Sequence, residues 1–104
     1  MENIENKKKV MVQFEFPNMS SNQFDQIWQD LRAAGYENPK GLLHHAAAPT
    51  DTGLKVVDVW ENADKFNEFG QTLMPILDKN GIQGIQPVIL PLHYEYSGIE
   101  KPII

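Results

Sequence analysis

The sequence predicts an α+β domain with the element order βαββαβ, and three observations carry that prediction. Val10, Val12, Phe14 and Phe16 alternate with Met11, Gln13 and Glu15, the period-two signature of a strand with one buried face. Two later stretches put apolar residues at helical spacing: Phe24, Ile27, Trp28, Leu31 and Ala34 in the first, and Phe66, Phe69, Leu73, Ile76 and Leu77 in the second. Between them, Gly41 to Asn62 (GLLHHAAAPTDTGLKVVDVWEN) reads as a β-hairpin with two histidines and an aspartate set into apolar strands.

The elements follow in order. The first strand covers Lys9 to Phe16 and stops at Pro17 and Asn18. Ser20 or Ser21 can cap the first helix, and Gly35 supplies its stop. The hairpin strands are Leu42 to Ala48 and Leu54 to Trp60, joined by Thr50-Asp51-Thr52-Gly53. Asn62 is an N-cap for the second helix, with Asp64 near its positive end. Pro75 lacks an N–H, so this helix is expected to kink or break near Thr72 to Met74 and restart, ending at Asn80-Gly81. The last strand, Pro87 to Tyr96, carries two prolines and therefore belongs at a sheet edge.

A chain of 104 residues with 41% hydrophobic content suits one domain, expected over 9–96, with a flexible tail at 1–8 and a second tail at 97–104. Pro102-Ile103-Ile104 is too apolar for a solvated end and is expected to pack on a partner subunit. The formal charge of −5 argues against a nucleic-acid or anionic-membrane surface, both of which need a basic footprint. A small molecule or another protein is the expected partner. With no cysteine and no signal-like or membrane-spanning segment, the cytoplasm is the expected compartment.

Right-handed connections turn βαββαβ into a ferredoxin-like, four-stranded antiparallel sheet of order 4-1-3-2 with both helices on one face. The other face is expected to carry Met11, Val57, Val59 and Ile89, too much apolar surface for water. A second copy covering it, sheet against sheet, makes a homodimer.

In this arrangement Gly41 to Pro49, followed by Val57-Asp58-Val59-Trp60-Glu61-Asn62, resembles the dimeric α+β barrel superfamily, in particular the group related to antibiotic-biosynthesis monooxygenases. The likeness spans Val10 to about Tyr94 and is most specific where uncharacterised members carry a D-V-W-E-S pattern, here with Asn62 in place of Ser. It implies a dimeric barrel with a pocket between sheet and helices, facing Val56, Asp58 and Trp60, and it implies either cofactor-independent oxygenases of aromatic polyketides and quinols, haem-degrading enzymes, or members without known activity. The haem-degrading branch carries a tryptophan and a histidine ligand on its second helix. Here Phe69 falls where that tryptophan would be, and Phe66 to Lys79 contains no histidine, so haem chemistry is disfavoured.

The hairpin supplies the candidate acid–base pair. With a loop at Thr50 to Gly53, Pro49 pairs with Leu54, and counting outward sets Ala47 against Val56, His45 against Asp58 and Leu43 against Trp60. A loop one residue longer or shorter would instead set Asp58 against His44 or Ala46. An aspartate beside a histidine fixes its tautomer and leaves the other ring nitrogen free to take a proton. Deprotonating a phenol in a dry pocket lets the substrate itself reduce O₂, so neither cofactor nor metal is called for. The competing reading has His45 and Asp58 satisfy each other and stitch the hairpin together. A metal site is disfavoured, because His44 and His45 point to opposite faces and His93 lies roughly 14 Å away, across three strand spacings.

Phe14, Trp28, Trp60 and Phe69 are the candidate walls that would bind substrate, although Phe24 and Trp28 could be plain core and Trp60 could anchor the hairpin to the second helix. The expected function is a cofactor-independent monooxygenase acting on a small aromatic or quinol-type substrate. The alternative is a non-catalytic ligand-binding or stress-associated barrel, and a pocket too small for a bicyclic aromatic would end the catalytic reading.

Overall fold

The computed structural model describes residues 8–96 and 98. The expectations for the two tails lie, apart from Lys8 and Gly98, outside the described residues. The elements are β1 (Val10–Pro17), α1 (Ser21–Ala33), β2 (Leu42–Pro49), β3 (Gly53–Trp60), α2 (Ala63–Lys79) and β4 (Val88–Pro91). They form one antiparallel sheet of order β2-β3-β1-β4, the topology expected for a ferredoxin-like α+β fold. No helix among the described residues is long and apolar enough to cross a membrane.

Alternation decides which face is buried. Val10, Val12, Phe14 and Phe16 of β1 and Leu54, Val56, Asp58 and Trp60 of β3 all point into the layer beneath the helices. There they meet Ile27 and Leu31 of α1 and Phe66, Phe69, Leu73, Ile76 and Leu77 of α2. Each of the apolar side chains contributes roughly 1.5–3 kcal/mol on leaving water, so this layer accounts for most of what holds the fold together.

The helix ends are satisfied locally. Ser20 Oγ accepts from Gln23 N–H at 3.1 Å while Gln23 Oε1 accepts from Ser20 N–H at 2.9 Å, a complete capping box. Asn62 Oδ1 accepts from Lys65 N–H at 2.9 Å. At the far end of α2, Asn80 Nδ2 donates to Asp30 Oδ2 at 3.0 Å and to Ile76 O at 2.8 Å, tying the two helices together. The Asn80 hydrogen bond is the main cause holding the Asp30 carboxyl below its ordinary value. A carboxylate lowered on folding stabilises above the unfolded value and loses that contribution as pH falls through the lowered folded value. Asn80→Ala is therefore expected to lower the urea midpoint at neutral pH and to reduce its further fall in acid, which parallel denaturation series check.

The structure corrects four expectations. α2 does not break: it runs through Pro75 in one piece. A proline inside a helix costs about 3 kcal/mol, but the buried residues before it (Phe66, Phe69, Leu73) and after it (Ile76, Leu77) share one face, and their burial outweighs that cost. β4 ends at Pro91 instead of Tyr96, because its partner β1 begins at Val10. Leu92 N–H donates to Lys9 O at 3.0 Å as the last rung, and the chain then leaves the sheet. Ile89 is not on the bare face, since it pairs with Val12 and shares its side; Val88 and Leu90, opposite Gln13 and Met11, take the outer positions. Finally, Leu42 and not Leu43 faces Trp60, because β2 bulges between Leu42 and His44. The bulge lets Leu42 pack on the core, and Gly41 leads into it with φ +91°, where a side chain would meet Lys65 Cβ at 2.6 Å.

Candidate functional site

Below the bulge the register is the one counted from the turn: Pro49 faces Leu54, Ala47 faces Val56, and His45 faces Asp58 on the helix side of the sheet. His45 Nδ1 lies 2.6 Å from Asp58 Oδ1. The second oxygen of the same carboxylate accepts from Trp60 Nε1 at 3.2 Å. Asp58 is the one buried charged residue among those described, 4% exposed, and each of its two oxygens has a hydrogen-bond partner. Such pairing is what makes a buried carboxylate tolerable. With Asp58 as the carboxylate, the His45 proton sits on Nδ1 and Nε2 is the basic nitrogen.

Two aromatic rings of α1 hold the imidazole. Phe24 lies parallel to it with centroids 5.9 Å apart, and Trp28 meets it edge-on at 5.2 Å. The His45 side chain keeps 27% exposure, so the buried Trp60–Asp58 arm ends in a ring that solvent or a ligand can reach.

Two spaces meet at that ring. The inner one is a cavity of about 40 Å³ lined by Phe14, Phe69 and other apolar side chains, with His45 and Asp58 its polar members. The outer one is a groove of about 520 Å³ lined by Phe24, Asp25, Trp28, Gln29, Arg32, Glu37 and His45. Phe24, Trp28 and His45 line both and so form the partition between them. Drug-sized ligands occupy roughly 300–1,000 Å³. The pocket expected between sheet and helices is therefore too small for a bicyclic aromatic, because core side chains fill that layer, and of the two spaces only the outer groove is large enough for one.

Of the residues expected to bind substrate, Phe14, Trp28 and Phe69 line the inner cavity and Trp28 also lines the groove. Trp60 does not line either space. It is fully buried, packed 5.6 Å from Phe66 and 5.2 Å from Phe69, and acts on the site only through its hydrogen bond to Asp58. Phe24, which periodicity alone assigns as readily to core, is half-buried and covers the imidazole. Sequence reasoning missed Arg32; its signal was the four-residue spacing Phe24, Trp28, Arg32, which puts all three on one side of α1.

The other histidines stay apart from this pair. His44 faces outward, opposite Val59, and its Nε2 lies 3.2 Å from Glu95 Oε2; Lys9 Nζ binds the same carboxylate. The Lys9 hydrogen bond is the main cause holding the Glu95 carboxyl below its ordinary value, with His44 adding to it. His93 is exposed. Among the described residues no three His, Cys, Asp or Glu side chains converge as metal ligands would.

No protein-family model matches the chain, and no curated protein does. Solved structures do match its fold. SnoaB, a cofactor-independent oxygenase from Streptomyces nogalater, superposes in a mutant form with a TM-score of 0.60 at 13% identity, over 86% of this chain and 96% of that one. A candidate antibiotic biosynthesis monooxygenase from Caulobacter crescentus gives 0.61 at 20% identity, over 91% and 97%. A dimeric ferredoxin-like protein of unknown function from Thermobifida fusca gives 0.56 at 14% identity, over 82% and 92%. The chain has the ferredoxin-like fold of these proteins. Identities this low establish architecture and leave the chemistry to be argued from the site.

Proposed function

We propose that this protein binds a small phenol- or quinol-type aromatic in the groove between α1 and β2, and that His45 Nε2 takes a proton from it to start a cofactor-independent monooxygenation. The observation that carries this reading is the chain Trp60–Asp58–His45, which ends in a partly exposed imidazole at the junction of a ligand-sized groove and an apolar cavity. Loss of the proton leaves an electron-rich carbanion that gives electrons to O₂. For an anthrone-type substrate, one oxygen atom then becomes the new carbonyl and the other leaves as water with the two hydrogens removed, so the balance closes without an outside reductant. The likeness of fold to SnoaB supports the same reading.

The cavity of about 40 Å³ favours a second reading, in which the groove holds a ligand and the pair only orients it. Oxygen uptake with anthrone and quinol substrates, for wild type and His45→Ala, separates the two. The proposal expects substrate-dependent uptake that falls in the variant; equal rates remove His45 from the mechanism.

The assembly we infer is a homodimer. Met11, Val57, Val59, Val88 and Leu90 give the outer sheet face an apolar surface, with Val88 50% and Leu90 41% exposed. Two fold neighbours are described as dimeric. Light scattering at micromolar concentration is expected to give the mass of two chains, and a monomer there would contradict the inference.

A further inference from the structure

We infer that the inner cavity is a binding site for an apolar diatomic gas, with dioxygen the ligand of that class relevant to this site. Size comes first. By the same measure of volume a single water takes roughly 10–15 Å³, so a cavity of about 40 Å³ holds a few heavy atoms and excludes an aromatic ring.

Chemistry decides between gas and water. A buried water needs two to four polar partners. The cavity wall is made of side chains such as Phe14, Ile27, Leu31, Val56, Leu73 and Leu77, and its polar members are His45 and Asp58. Three of their four side-chain hydrogen-bonding atoms are already engaged, His45 Nδ1 with Asp58 Oδ1 and Asp58 Oδ2 with Trp60 Nε1, which leaves His45 Nε2 as the one atom without a partner. A water inside would find too few partners, whereas an apolar gas loses nothing by entering. Enclosed cavities lined wholly by apolar side chains stay dry and take up xenon; this one is partly open and shares the mainly apolar lining.

Position gives the site a use. The cavity and the groove share Phe24, Trp28 and His45 in their linings and adjoin there. A gas molecule held in the cavity adjoins the groove in which the substrate is proposed to lie. That use rests on the oxygenase reading; the gas site itself does not.

Xenon tests the site without any substrate. Methyl resonances of Ile27, Val56, Leu73 and Leu77 are expected to shift saturably under xenon pressure in the wild-type protein. Filling the cavity with Val56→Leu, or with Leu73→Phe should the first variant fold poorly, is expected to abolish those shifts. Unshifted wild-type methyls, shifts confined to other regions, or water–methyl contacts from a long-lived water in the cavity would each overturn the inference. If substrate-dependent oxygen uptake is found, the filled variant is expected to raise KM for O₂ several-fold with KM for the aromatic unchanged, and an unchanged KM for O₂ would remove the cavity from the reaction. If no uptake is found with any substrate, the oxygenase reading fails while the xenon shifts still decide the site.

Discussion

Trp60→Ala is expected to destabilise the domain by about 3–5 kcal/mol, the usual cost of truncating a large buried aromatic, which is a large fraction of the roughly 5–15 kcal/mol that holds a domain folded. Trp60 has no exposed surface and packs on Phe66 and Phe69, so its removal opens a void that the two helices and the sheet cannot close together. Trp60→Phe separates the ring from the hydrogen bond. It keeps most of the apolar volume and deletes the donor to Asp58 Oδ2, leaving a buried acceptor unpaired at a cost of about 1–3 kcal/mol. Urea denaturation of both variants checks the difference. A negligible loss in Trp60→Phe beside a large one in Trp60→Ala would mean that the indole N–H adds nothing and that Trp60 is only a packing residue.

Asp58→Asn is expected to cost about 10²–10⁴-fold in the rate of substrate-dependent oxygen uptake, the range of a general base, while the domain stays folded. The size of the side chain hardly changes, but an amide facing Nδ1 can donate as well as accept. Trp60 Nε1 can only donate, so the amide oxygen stays with the indole and the amide NH₂ turns to His45. His45 must then accept at Nδ1 and carry its proton on Nε2, the nitrogen that has to be free. Stopped-flow or electrode measurements of oxygen uptake check this. An unchanged rate would show that Asp58 serves the hairpin and not the base.

Much of this was legible in the chain, for reasons visible in particular residues. The two-residue alternation of Val10 to Phe16 and of Leu54 to Trp60 has one solution that buries the apolar set, so the sheet face followed from pattern alone. The turn at Thr50 to Gly53 sets register outward from itself, and that was enough to bring His45 to Asp58. The count failed two residues further on, because the bulge at Leu43 arises from Leu42 packing on the core, a tertiary contact that no local spacing announces. Ile89 was put on the wrong face and β4 made too long for a related reason: a strand whose pairing ends where β1 starts takes its register and length from its partner. The amphipathic pattern of α1 placed Phe24 and Trp28 toward the sheet, but a helix stripe does not distinguish a side chain sunk in the core from one that covers an imidazole at its edge. The indole bond to Asp58 joins residues two apart on one strand face, so it was geometrically available in the sequence; it went unseen because Trp60 was weighed only as wall or anchor.

In the proposed function Asp58 holds His45 with its proton on Nδ1 and a basic Nε2 at the groove. A long-range ¹H–¹⁵N correlation spectrum of the neutral imidazoles, assigned by comparison with His45→Gln, reads this directly in the free protein. For His45 a pyrrole-type Nδ1 and a pyridine-type Nε2 are expected, with the pattern reversed in Asp58→Asn. A pyrrole-type Nε2 in the wild-type protein would contradict it.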